Sequence, residues 1–248
     1  MIRDRELGPQ PELDIEGWMS VAQLAVLRRH AASTRAGERI VEIGSFRGRS
    51  TIALARCAPE GVEVVAVDPH AGAQRGPDER SGHELAARAD RAAFLANLEG
   101  AGVAERVRHV DATSRAALSS LDGPIAVLLV DGSHRFVDAV ADIDGWGARV
   151  GPCGVMLLHD AFSSVGVTAA IACRLLTSSR WRYRGRTGSL ATYTADLDGT
   201  PRSRLRNAAR QCLEMPWFVR NLALKGAIRI GAAHLARRLG RRPPEWPY

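Results

Sequence analysis

The chain has 248 residues, 46% of them hydrophobic and 25% charged, a composition that fits one large globular domain or a domain with an appendage. The formal net charge of +7 divides unevenly: residues 201–248 carry eleven Lys and Arg against Glu214 and Glu245, a net of +9, which leaves −2 for residues 1–200. A nucleic-acid groove across the main domain is excluded on that ground, because such a groove is lined with cations.

The chain opens Met-Ile-Arg-Asp-Arg-Glu with no apolar signal region, and no apolar run reaches membrane-spanning length, so a cytoplasmic protein is expected. Cys57, Cys153, Cys173 and Cys212 lie far apart with no C-x-x-C pair. They are expected to be small buried hydrophobes in a reducing compartment.

Residues 1–14 read as irregular, broken by Gly8-Pro9 and Pro11, and residues 16–32 as a helix using Met19, Leu24 and Leu27. An alternation of strands and helices follows. A strand over 39–44 leads to a helix over 48–57, and a strand over 62–68 to a polar loop from Pro69 to Gly82 and a helix over 83–100. A strand over 107–111 precedes a short helix. The run 125–131 is followed by a helix over 135–148, and 155–160 by a helix over 165–177. Two further strands, 180–185 and 189–195, flank a turn at Gly188.

Alternating strands and helices call for a parallel sheet covered on both faces. The almost wholly apolar runs 64–67 and 125–130 are what strands buried on both faces require. The expected architecture is α/β, a doubly wound, mostly parallel seven-stranded sheet with an antiparallel edge strand and a basic helical C-terminal extension. Three parts are expected: an N-terminal helical segment over 1–37 placed to act as a lid, a catalytic domain over 38–200, and a tail over 201–248.

Ligands of open parallel sheets bind outside the carboxyl ends of the strands. Gly44, Asp68, Asp111, Asp131 and the pair His159-Asp160 all fall at that edge. Like charges gathered there cost stability unless something compensates them. Asp68, 24 residues after Gly44, is placed to accept hydrogen bonds from ribose hydroxyls, a role shared by nicotinamide and S-adenosylmethionine proteins. Asp111 can serve a ligand or cap the helix near residue 114.

The turn after the first strand reads Glu42-x-Gly44-x-x-x-Gly48 rather than the G-x-G-x-x-G of dinucleotide enzymes. It resembles motif I of class I S-adenosylmethionine-dependent methyltransferases. The block Val130-Asp-Gly-Ser-His134, with Asp142, Trp146 and Leu158-His-Asp160 beyond it, resembles the branch holding metal-dependent sugar and macrolide O-methyltransferases and cephalosporin-hydroxylase-like proteins. The similarity spans about residues 38–195.

That resemblance implies S-adenosylmethionine held by Glu42, Gly44, Ser45, Gly48, Ser50, Thr51, Asp68, Asp111, Ala112 and Asp131. It implies Mg²⁺ or Mn²⁺ on Asp131, His159 and Asp160, with His159 standing where those members have a carboxylate. Imidazole is the softer ligand and suits Mg²⁺ less well. His134 is favoured as general base, with His159 the second choice and Asp131 the third catalytic group. The acceptor implied is a sugar hydroxyl of an oligosaccharide, a polysaccharide precursor or a glycosylated small molecule. A nicotinamide-linked oxidoreductase on a similar sheet and a non-catalytic scaffold are the alternatives.

Gly17-Trp-Met-Ser20 and the loop 69–82 are placed to cover the site, with Arg75, Asp78, Arg80 and His83 as polar contacts for the acceptor. In the tail, Trp217, Leu224, Ile228, Leu235 and Leu239 form a helical stripe among Arg220, Lys225, Arg229, Arg237 and Arg238. Such a helix over 217–239 can lie on the inner membrane surface, join subunits of a homo-oligomer, or pack on its own domain.

Overall fold

In the computed structural model, which describes residues 10–71 and 84–229, seven strands form one sheet in the order β3-β2-β1-β4-β5-β7-β6. The strands are β1 (Arg39–Ile43), β2 (Glu63–Val67), β3 (Val107–Val110), β4 (Ile125–Val130), β5 (Val150–Leu158), β6 (Arg182–Thr187) and β7 (Leu190–Thr194). The first five are mutually parallel, and β7 runs antiparallel to both β5 and β6. The expected antiparallel pair therefore forms that edge, with its second strand inserted inboard.

Two apolar layers cover the sheet because successive side chains point to opposite faces. Val41, Ile43, Leu128, Val130, Met156 and Leu158 meet α5 (Phe136–Arg149) and α6 (Val165–Arg174). Ile40, Val64, Val127, Leu129, Val155 and Leu157 meet α1 (Val21–Ala32), α2 (Arg49–Cys57) and the far part of α3 (Glu84–Gly100). A short helix α4 (Ser114–Ala117) follows β3.

Helix α1 begins at Val21 rather than near residue 16. Ser20 Oγ accepts the Gln23 N–H (3.3 Å) while Gln23 Oε1 accepts the Ser20 N–H (2.8 Å), a reciprocal cap that fixes the start. Strand β5 begins earlier than the apolar run suggests, because Gly151-Pro-Cys-Gly154 passes through an irregularity in the β4–β5 register with Cys153 at φ +61°. Cys153, Cys173 and Cys212 are exposed and Cys57 half-buried, which corrects the expectation of four buried thiols.

The described part of the basic tail, α7 (Pro201–Cys212) and α8 (Met215–Arg229), is docked on the domain. Asn207 accepts the Tyr183 N–H (2.7 Å) and donates to the Trp181 carbonyl (3.0 Å). Gln211 accepts from the Tyr193 hydroxyl (3.0 Å) and donates to the Leu175 carbonyl (3.2 Å). Leu224 is buried and Trp217 packs on the core, so at these two positions the stripe faces the protein's own interior. Leu235, Leu239, Arg237 and Arg238 lie outside the described residues, as do Arg75, Asp78, Arg80 and His83. Among the described residues no helix is long and apolar enough to cross a membrane.

Candidate active site

The strand ends are tied to one another by backbone. The Gly44 N–H donates to the Val67 carbonyl (2.9 Å), Asp131 to Ile43 (2.8 Å) and His159 to Val130 (3.0 Å). The residues after β1, β2, β4 and β5 are thereby displayed along one edge. Between β1 and β4 the strand order reverses, which is where open parallel sheets bind ligands. A cavity of about 1190 Å³ opens there, walled by Gly44, Ser45, Asp68, Asp131, His134 and Asp160 among others. Pockets for one drug-sized ligand run about 300–1,000 Å³, so this one has room for two small molecules.

Gly44 has φ +85°, and a Cβ there would lie 2.3 Å from the Asp131 carbonyl oxygen. The close approach that requires glycine is thus to the neighbouring strand end. Gly48, also left-handed, caps α2 without a side chain, and a Cβ on it would press on the Phe94 ring at 3.2 Å. Asp68 spends its carboxylate on the Gly44 loop: Oδ2 accepts the N–H groups of Ser45 and Phe46 (both 2.9 Å) and Oδ1 that of His70 (2.8 Å). It still faces the cavity. Among the described residues, Ser45 Oγ and His70 Nδ1, buried in the cavity wall, have no hydrogen-bond partner, a cost that a bound ligand can remove.

Several expected contacts lie off the cavity lining. Alternation along β1 turns Glu42 beneath α2, fully buried, where the Thr51 hydroxyl donates to it at 2.5 Å. Burial raises its pKa to about 8, against the opposing hydrogen bonds of Ser50 and Thr51. Glu42 and Thr51 therefore brace the loop from below. Asp111 pairs with Arg91 at 2.9 Å, and neither it nor Ala112 reaches the cavity. The cap of α4 is Thr113, and Thr113 and Ser114 line the wall in their place.

The acids and imidazoles after β4 and β5 do converge. Ligand atoms of Asp131, His134 and Asp160 lie within 4.8 Å of one another. His134 Nε2 donates to Asp160 Oδ2 at 2.9 Å. His159 Nδ1 lies 2.8 Å from Asp131 Oδ1 and 3.6 Å from Asp160 Oδ2, and its Nε2 faces the Ser189 hydroxyl at 3.4 Å. The group suited to a cation is thus Asp131, His134 and Asp160 rather than Asp131, His159 and Asp160. Alternation along β5 directs His159 toward the Val155–Leu157 face, while Asp160, at φ +53°, turns back toward the cavity.

Charge separates the two histidines. Burial opposes a charge on His159, but Asp131 and Asp160 outweigh it and lift its pKa to about 9. Burial likewise opposes the charge on Asp160, and His159 and His134 overcome that and hold it at about 2. His134, opposed by burial and favoured by its bond to Asp160, is raised more gently. At neutral pH His159 is an imidazolium between two carboxylates, and it offsets the repulsion expected of them.

One member of the wall had no assigned role in the sequence. Asp142 of α5 accepts from the Ser114 hydroxyl, which in turn accepts from Trp146 Nε1 (2.9 Å). Burial raises the Asp142 pKa to about 6. The residues stand in the block that follows Asp131, so the sequence carried the signal without the contact. At the mouth, Gly17, Trp18, Met19 and Ser20 line the cavity, and the Trp18 and Phe46 rings lie 4.9 Å apart.

Residues 41–161 match the sequence model of a methyltransferase-domain family. Among solved structures, the fold is similar to cofactor-bound Rv0187 from MTB, at 20% identity and TM-score 0.55, covering 78% of this chain and 92% of that one. It is similar to the O-methyltransferase TomG from Streptomyces achromogenes in complex with S-adenosylmethionine, at 22% identity and TM-score 0.50, covering 77% and 88%. It also resembles the O-methyltransferase NovP, at 15% identity and TM-score 0.57, covering 73% and 83%. At such identities the likeness is one of fold. The family match runs from β1 to the turn after β5 and so contains Asp131, His134, His159 and Asp160. Residues 41–161 thus match a methyltransferase-domain family, and the sheet that carries them shares its fold with these proteins.

Proposed function

We propose that this chain methylates a hydroxyl oxygen of a sugar, in a polysaccharide precursor or a glycosylated metabolite. The observation that carries this function is the convergence of Asp131, His134 and Asp160 beside the Gly44 loop in a cavity with room for cofactor and acceptor. S-adenosylmethionine supplies an electrophilic methyl whose sulfonium leaving group needs no proton. Ser45, Ser50, Asp68 and His70 would hold it, and the uncapped first-turn amides of α2 suit its carboxylate. Trp18 and Trp217 beside Ser20, Ser189 and Asn221 give the acceptor end aromatic surface with hydrogen-bonding partners, which favours a polyol.

The acceptor's proton needs a base. In its neutral form, with Nε2–H donated to Asp160, His134 has Nδ1 as its accepting nitrogen. His159, an imidazolium at neutral pH, cannot take a proton there, and it fixes the Asp131 carboxylate instead. A divalent ion also fits two carboxylates and an imidazole; Asp131, His134 and Asp160 would hold it, Mn²⁺ better than Mg²⁺, and it would supply Lewis acidity toward the hydroxyl. The charge already supplied by His159 favours the reading in which His134 acts as base without a metal.

Formation of S-adenosylhomocysteine with polyhydroxylated acceptors separates the two. Activity lost in EDTA and restored by Mn²⁺ makes His134 a ligand. Full activity in EDTA together with an inactive His134→Ala makes it the base. Transfer to amines but to no hydroxyl acceptor would contradict the proposed function itself.

A further inference from the structure

The turn that carries Asp160 is conformationally costly and is gripped from outside the segment that matches the family. Asp160 and Phe162 both have left-handed backbone, at φ +53° and +55°, which costs a non-glycine residue roughly 1–2 kcal/mol. Inside the turn, the Ser163 and Ser164 N–H groups donate to the Asp160 carbonyl at 3.1 and 2.9 Å. Two further carbonyls of the turn are bonded by α8: Asn221 Nδ2 donates to Phe162 O and Lys225 Nζ to Ser163 O, both at 3.1 Å. Asn221 is wholly buried. Trp217, Asn221 and Lys225 recur at a spacing of four on one helical face, and Trp217 and Asn221 also line the cavity.

That face is fixed to the sheet edge independently. Glu214, just before α8, accepts from the Tyr183 hydroxyl (2.8 Å) and from Arg186 Nε (2.6 Å). The Arg186 guanidinium carbon lies 3.9 Å from the centre of the Trp217 ring. The family match ends at residue 161, so every residue of this grip lies beyond it.

We infer that α8 is a clamp on the Asp160 turn, in which Asn221 and Lys225 are positioning residues that keep residues 160–164 in the conformation bringing Asp160 to Asp131 and His134. The clamp rests on the proposed function for its purpose, though its geometry can be tested alone. The test uses the full chain with Lys225→Met, Asn221→Leu and the conservative Lys225→Arg. Hydrogen exchange of the Ser163 and Ser164 amides and calorimetric affinity for S-adenosylhomocysteine are measured on each.

Losing one such bond should speed exchange at both amides about tenfold, leave cofactor affinity within about twofold, and be reversed in Lys225→Arg. With an acceptor in hand, kcat should fall about tenfold while KM for the cofactor holds. Unchanged exchange at the turn in both disruptive variants would overturn the clamp. So would faster exchange spread evenly over β1 to β5 with no recovery in Lys225→Arg, since that describes a helix that merely stabilises the core. A wild-type chain that binds no S-adenosylhomocysteine would sink the functional proposal, while the exchange at residues 163 and 164 would still decide the clamp.

Discussion

Replacing His159 with glutamine removes a buried cation held between Asp131 and Asp160 while keeping a side chain of similar length. The magnitude follows from the shift: a folded pKa of about 9 against an ordinary 6.5, for a fully buried group, corresponds to roughly 3 kcal/mol. Breaking one partner out of a buried ion pair costs about 3–5 kcal/mol by a separate route, and the two agree. The sign is fixed as well. A histidine raised in the folded state contributes fully below pH 6.5 and loses that contribution as pH rises through about 9. Asp160, held near 2 instead of 3.8, contributes above 3.8 and fails as pH falls through about 2. In EDTA, urea unfolding of wild type and His159→Gln should therefore differ most between pH 4 and 6.5, and the gap should close toward pH 9. A gap independent of pH, or one that widens with pH, would show that His159 is neutral in the folded chain. It would then rejoin His134 as a candidate base.

Three other perturbations follow from the same geometry. Glu42→Gln removes an acid whose pKa burial raises from 4.5 to about 8, so its unfolding free energy should exceed wild type by on the order of 5 kcal/mol at pH 9 and hardly at all at pH 4; a destabilised variant at pH 9 would mean the carboxylate is needed ionised. Gly44→Ala forces a Cβ to 2.3 Å from the Asp131 carbonyl at φ +85°, so roughly 2–5 kcal/mol should be lost in urea melts, and a wild-type midpoint would refute the packing assigned to this glycine. Deleting residues 201–248 strips partners from the Tyr183 N–H, the Tyr193 hydroxyl and the Leu175, Trp181 and Phe162 carbonyls, at about 1–3 kcal/mol each. The shortened chain should not unfold cooperatively; a cooperative transition with cofactor affinity intact would make the tail a separate appendage after all.

Much of the sheet is legible in the sequence because burial on both faces leaves an unbroken apolar run, as in Ile125–Val130, and because each run stops at a polar residue. Those stops put Gly44, Asp68, Asp131 and Asp160 at one edge. What the sequence hides depends on backbone angles and on partners distant in the chain. His159 and Asp160 are neighbours, yet alternation and a left-handed turn send one to Ser189 and the other to His134. Glu42 belongs to the motif but points under α2, since side chains two apart along β1 share a face and adjacent ones do not. Asn207, Gln211 and Asn221 carry no pattern in the sequence that marks them as buried, yet each is buried with its amide on a backbone group of the domain. Asp142 stands among helical apolar residues, and only the folded chain brings Ser114 to it.

Methyl transfer to oxygen is proposed for the cavity where Asp131, His134 and Asp160 meet. It is tested most directly by incubating wild type and His134→Ala with S-adenosylmethionine carrying a ¹³C-labelled methyl and a panel of sugars, then locating the label by carbon NMR. Wild type should place the label in an O-methyl group. His134→Ala, still binding the cofactor by calorimetry, should be slower by about 10²–10⁴. Label found on nitrogen or carbon, or a His134→Ala variant as fast as wild type, would contradict it.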